Sequence, residues 1–154
     1  MTTIAWDGHT LAADSLHQCG NWKYFLPNKK IIRVLCGEEE VLVASAGEVE
    51  AGEKFIAWVR AGMPEGAKPD IAKDADFAAL VVMGGTAMKV ETGLVPFEVQ
   101  SPHALGSGRD FALAAMYLGR GAAEAVAVAC ALDMGTGGEV QAESLIAPAS
   151  SLAE

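Results

Sequence analysis

Short turn signals set between apolar runs constrain this chain more than any other feature. Asp7-Gly8 joins a run over 3–6 to a returning run over 10–13. Asp-Gly is among the strongest two-residue hairpin signals, because the favoured turn holds both residues at positive φ. Gly84-Gly85 separates an apolar run over 77–83 from an alternating run over 87–91. Cys36-Gly37-Glu38-Glu39 turns a β-branched run over 30–35 back along 41–46. Loops this short permit only antiparallel pairing, since a parallel return takes a crossover of about a dozen residues or more. The sheets are therefore expected to be mainly antiparallel.

Three helices are expected between the hairpins. Glu48 opens the first, where Val49, Phe55, Ile56 and Val59 recur at helical spacing, and Gly62 and Pro64 end it. The other two, over 109–118 and 122–132, are apolar nearly all round and are parted by Gly119 and Gly121. The last of these is expected to be buried on two sides. Residues 15–28 read as a loop or irregular strand, and 64–76 as a polar surface connection. Residues 95–99 read as a short edge strand, because Pro96 cannot donate to a ladder. His103-Ala104-Leu105 reads as a lead into Gly106-Ser107-Gly108, residues 139–146 as a last strand, and 147–154 as a loose tail. Strands, a helix, strands, two helices and a strand make an α+β pattern. Two antiparallel sheets face to face, with helices outside each, would use every element. With no repeat or second domain visible, 1–154 is expected to be one domain.

Charge and composition remove several classes of function. The net charge of −9 argues against a nucleic-acid partner, which would call for clustered Lys and Arg. No apolar run approaches a membrane span, and the N-terminus lacks the basic and apolar regions of a secretory signal. Cys19, Cys36 and Cys130 are odd in number and contain no Cys-x-x-Cys pair, which fits free thiols in a reducing cytoplasm. His9, His17 and His103 lack metal-ligand spacing, so no metal is expected. Glu38-Glu39-Glu40 reads as a solvated hairpin tip. No phosphate-binding G-x-x-x-x-G-K-[ST] loop and no G-x-S-x-G elbow occur, and Gly106-Ser107-Gly108 lacks the third glycine of a dinucleotide fingerprint. Ser107 could aim its hydroxyl into a site at the strand end or cap the helix that follows.

The residues that suggest chemistry are Thr2, Asp14 and Lys30. Thr2 follows Met1 and is small enough for Met1 to be trimmed. Asp14 ends the first hairpin, and Lys30 opens the next. Further on stand Gly47 before the first helix, Gly106-Ser107-Gly108 before the second, and Asp133 with Thr136 and Gly137 after the third. This ordered set, spanning residues 2 to about 146, resembles the proteasome β-subunit family, closest to its bacterial and phage-borne branch of threonine peptidases. A start at Met1-Thr2 without a propeptide fits that branch. The chain is shorter than typical members, and Thr136 stands where the family turn often carries Ser.

The resemblance implies a four-layer αββα sandwich of the N-terminal nucleophile (Ntn) hydrolases and a threonine endopeptidase without metal or organic cofactor. A Thr hydroxyl is a poor nucleophile unless a base takes its proton. A free α-amine has a pKa of about 7.7–8.0, so it can act as that base near neutrality. On the family pattern Lys30 lowers the pKa of amine and hydroxyl, Asp14 orients Lys30, and the Gly47 N–H faces the oxyanion. Ser107, Asp133 and Thr136 would support the Thr2 amine or a water. His17, Gln18, Ser45 and Val49 would line the pocket for the residue before the scissile bond. A homo-oligomeric ring, a polypeptide substrate and a separate ATPase unfoldase are the implied partners. The competing readings are a small-molecule amidase of the same fold and a catalytically silent ring-forming assembly protein.

Overall fold

In a computed structural model of the chain, residues 2–25 and 29–145 are described. Met1, the end of the expected loop over 15–28 and the expected tail over 147–154 lie outside them. In chain order the strands are β1 (Thr3–Trp6), β2 (Leu11–Ala13), β3 (His17–Cys19), β4 (Trp22–Tyr24), β5 (Ile31–Cys36) and β6 (Glu39–Gly47). Helix α1 (Val49–Arg60) follows, then β7 (Phe77–Met83), β8 (Thr86–Val90), β9 (Phe97–Val99) and β10 (His103–Gly106). Helices α2 (Arg109–Tyr117) and α3 (Ala122–Leu132) and strand β11 (Gln141–Glu143) complete the series.

One sheet has the order β10-β1-β2-β11 and the other β5-β6-β7-β8-β9, with every pairing antiparallel. Side-chain alternation sorts the apolar residues into three cores. Ile4, Trp6, Leu11 and Ala13 of the first sheet meet Leu42, Ala44, Leu80 and Val82 of the second. The opposite faces of the same strands, Ala5 and Ala12, carry Ala112, Ala115, Met116, Ala125 and Val126 of α2 and α3. On the far side, Val41, Val43, Ala79 and Val81 carry Phe55, Ile56, Trp58 and Val59 of α1. The result is the αββα sandwich expected from the hairpin pattern. The continuous apolar run 41–46 follows from it, because β6 is covered on both faces. Leu42 is fully buried between the sheets, and Leu42→Ala there should cost about 2–5 kcal/mol.

Three local expectations differ. Residues 17–24 form a regular hairpin, β3 with β4, rather than a loop or irregular strand. Its Trp22 is 78% exposed, so no core pattern marks the strands in the sequence. His103–Gly106 is a strand, β10, rather than a lead into the glycines, and it pairs with β1. Helix α3 buries Ala122, Ala125, Val126 and Ala129 only. Its other face is open within this chain, with Leu132 60% exposed.

Candidate active site

The first hairpin sets Thr2 beside Asp14. Antiparallel pairing of Ile4 with Ala13 brings the ends of β1 and β2 together, and the Asp14 N–H donates to the Thr3 carbonyl at 3.2 Å. Asp14 is completely buried, so its carboxylate must find partners inside the protein. Oδ1 accepts from the Thr2 hydroxyl, the Thr3 N–H at 3.1 Å and Lys30 Nζ at 2.7 Å. Oδ2 accepts from the N–H groups of Leu16 at 3.3 Å and Gly137 at 3.0 Å.

Lys30 arrives from the second sheet, one residue before β5. Its side chain is only 4% exposed. The three protons of its ammonium meet three acceptors: Thr2 Oγ1, Asp14 Oδ1 and the Leu16 carbonyl at 2.5 Å. Burial pulls the Lys30 pKa down, and the Asp14 carboxylate offsets only part of that pull. Thr2 Oγ1 thus donates to a carboxylate and accepts from an ammonium at the same time. His17 is also held below its ordinary pKa, by burial and then by Lys30.

Gly47 ends β6 with φ of +104°, and a Cβ there would lie 1.9 Å from the Asp76 carbonyl oxygen. Glycine is required for backbone reasons before any substrate is considered. A side chain at 47 therefore disturbs the β6–β7 edge as well as the site. Gly106 is alike: φ is +95°, and a Cβ would sit 2.0 Å from the Thr2 carbonyl oxygen.

A second polar cluster lies on the other side of β1. Asp133 Oδ2 accepts from Ser107 Oγ at 2.6 Å and Thr136 Oγ1 at 2.5 Å. Thr136 has one hydroxyl proton and gives it to Asp133, so in the 2.6 Å contact with Thr3 Oγ1 it is Thr3 that donates. Ser107 Oγ also stands 3.4 Å from the Thr2 carbonyl. Burial pushes the Asp133 pKa up, but hydrogen bonds from Ser107, Thr136 and the Gly135 N–H leave it below its ordinary value.

Two clefts meet at Thr2. His17, Gln18, Ser45 and Val49 line one of them, a cavity of about 40 Å³, together with Tyr24 and Lys30. Among the described residues Gln18 Oε1 is buried without a hydrogen-bond partner. The other cleft, of about 480 Å³, runs past Ala104, Leu105, Gly106, Ser107 and Arg109. Thr2, Ala46 and Gly47 are the residues common to both walls. Among the described residues no cluster of His, Cys, Asp and Glu could hold a metal ion, and no helix is long and apolar enough to cross a membrane.

Sequence reasoning missed Thr3, the Leu16 carbonyl, Tyr24 and Gln141. Gln141 Oε1 accepts from the backbone N–H groups of Lys30 at 2.9 Å and Ile31 at 3.2 Å. Its Nε2 reaches Ser15 Oγ at 3.4 Å. The amide thereby ties β11 of one sheet to the start of β5 in the other, at the residue that delivers the ammonium. A Thr-Thr pair before a hairpin gives a faint signal for Thr3. Nothing local marks Gln141.

The fold is similar to that of proteasome-type structures. Neither a protein-family model nor a curated protein sequence matches the chain. Solved structures do. BPH of Thiobacillus denitrificans in complex with epoxomicin superposes with a TM-score of 0.64 at 22% identity, covering 95% of this chain and 99% of that one. Eukaryotic HslV from Trypanosoma brucei gives 0.65 at 19%, covering 92% and 97%. The Anbu complex from Pseudomonas aeruginosa, a helical assembly, gives 0.61 at 11%, covering 93% and 80%.

Proposed function

We propose that the chain is a threonine-type endopeptidase with Thr2, freed by removal of Met1, as nucleophile. The observation that carries this reading is one buried ammonium, Lys30 Nζ, donating to both Thr2 Oγ1 and Asp14 Oδ1. The Thr2 α-amine takes the hydroxyl proton as Oγ1 attacks the scissile carbonyl. Lys30 lowers the pKa of both groups, and the Gly47 N–H receives the oxyanion, a contact worth about 3–4 kcal/mol in the transition state. Collapse of the adduct expels the leaving amine, which takes the proton from the α-amine and leaves an ester on Thr2. Water then cleaves that ester, with the amine again as base. The Ser107–Asp133–Thr136 cluster orients the Thr2 backbone from behind. His17, Gln18, Ser45 and Val49 receive the residue before the scissile bond.

Two clefts meeting at Thr2 suit an extended peptide better than a small amide. The outer helical layer leaves Tyr117, Leu118, Val128 and Leu132 exposed, which supports a homo-oligomer that encloses the site. The reading places the protein in the cytoplasm and uses no metal or cofactor. Delivery of folded substrates falls to a separate ATPase. Turnover of a fluorogenic peptide library by the Met1-free protein tests the reading. Activity is expected, together with a covalent adduct from a peptide electrophile (epoxomicin, the ligand of the BPH structure, is a probe to hand). Both should be lost in Thr2→Ala. Turnover retained by Thr2→Ala would overturn it.

A further inference from the structure

The second cleft at Thr2 is not used by the reaction as described. It lies across Thr2, Ala46 and Gly47 from the cavity that holds His17, Ser45 and Val49. If that cavity takes the acyl side of the scissile bond, the second cleft takes the leaving side. Its walls carry two cations, Lys89 and Arg109, in a chain with 20 acidic and only 11 basic residues. Lys89 has a partner in Glu91, at 3.0 Å. Arg109 has no carboxylate partner among the described residues. Its Nη1 donates to the Gly106 carbonyl at 3.0 Å, a neutral contact beside Thr2 that aims the side chain and leaves most of its five N–H groups unused. Asp76 is the one carboxylate on the cleft wall. Its backbone carbonyl is packed against Gly47, and among the described residues no ion pair joins Asp76 to Arg109.

We propose that this cleft binds the leaving side of the substrate and that Arg109 selects a carboxylate there. The carboxylate is either an acidic side chain just after the scissile bond or the free C-terminus of the peptide. This rests on the endopeptidase reading and adds a specificity to it. A guanidinium fork matches a carboxylate in bidentate geometry. Arg109 is exposed, so the gain is that of a partly solvated pair. About three- to ten-fold in kcat/KM is expected, shrinking in about 1 M salt, where the screening length is about 3 Å.

The test uses the Met1-free protein and matched peptides that differ only after the scissile bond. One set carries Glu, Gln or Lys at that position with an amidated C-terminus. The other ends there, as free acid or amide. A preference for Glu over Gln assigns the side chain, and a preference for free acid over amide assigns the terminus. Arg109→Gln should bring the preferred ratio close to one, and Arg109→Glu should favour Lys. Affinities of the same peptides for Thr2→Ala, measured in parallel, read the cleft without the chemistry. Wild-type ratios near one within both sets, with turnover intact, overturn the inference and leave the endopeptidase reading standing. No turnover of any peptide overturns the endopeptidase reading. Equal affinities for Thr2→Ala then overturn the cleft assignment as well, whereas a carboxylate preference in binding supports it.

Discussion

Two carboxylates flank the first strand and are used in opposite ways. Asp14 is completely buried, faces an ammonium and receives five hydrogen bonds. Asp133 is partly open, and among the described residues its donors are neutral, the hydroxyls of Ser107 and Thr136 and the Gly135 N–H. A buried ion pair is held together because breaking it strands a charge. A carboxylate bound by hydroxyls loses only ordinary hydrogen bonds. In the proposed mechanism the Asp14 side therefore carries charge to Thr2, and the Asp133 side carries orientation.

Lys30→Met should break the comparison hardest. It fills the space, removes the charge and leaves the Thr2 hydroxyl with Asp14 alone. Turnover should fall by about 10²–10⁴-fold, with the residual rate rising toward higher pH. Asp14→Asn strands the Lys30 ammonium. About 3–5 kcal/mol of stability should go with it, seen as a drop in denaturant midpoint together with lost turnover. If either variant behaves like wild type, the charged cluster is not the engine of the site.

The alkaline limb of the pH profile sharpens the same point. Burial lowers the Lys30 pKa from its ordinary 10.5, so the folded protein gives up that proton at a lower pH. In the proposed mechanism the ammonium is the active form, so turnover should begin to fall below 10.5. Between the folded pKa and the ordinary one the unfolded chain holds more protons, so this group's contribution to stability rises with pH. The rate should fall while circular dichroism stays unchanged. Simultaneous loss of both would point to unfolding instead.

Smaller effects are expected further from the charge. Gln141→Leu removes the acceptor for the Lys30 and Ile31 N–H groups and should lower kcat by about ten-fold, roughly the 1–3 kcal/mol of an unmet buried donor. Gln141→Glu keeps an acceptor oxygen and should restore most of that rate. A merely structural Gln141 would show no such rescue. Asp133→Asn still offers one oxygen where the two hydroxyls converge. It should cost about 1 kcal/mol of stability and only a few-fold in turnover.

What could be read from the sequence follows from range. The β1–β2 and β5–β6 hairpins and helix α1 announce themselves through turn chemistry and spacing within a dozen residues. Thr2, Asp14 and Lys30 stand at hairpin ends that the sequence marks, but it is the family resemblance that singles them out. The β3–β4 hairpin is not legible, because Trp22, Lys23 and Tyr24 are all exposed and leave no buried stripe. Strand β10 is not, because four residues between Pro102 and a glycine-rich turn carry no period. The open face of α3 is hidden by composition, since an Ala- and Val-rich helix looks the same whether one side is covered or two. Gln141 acts on a residue 111 positions away, through a contact that only the assembled sheets create. Gly47 was legible as a glycine, but the carbonyl of Asp76 supplies a reason for it that the sequence does not.

The most direct test of the N-terminal chemistry compares two forms that share every side chain from Thr2 onward. One is the Met1-free protein, with its Thr2 amine exposed. The other keeps Met1, or carries an acetyl group on Thr2, so that the hydroxyl remains and the amine base is gone. Turnover of one fluorogenic peptide and the mass of the Thr2 adduct are measured for both, with intact mass confirming each form. The Met1-free form should turn over and accept the adduct, while the blocked form does neither. Undiminished turnover by the blocked form would contradict the N-terminal mechanism and leave only a shared fold.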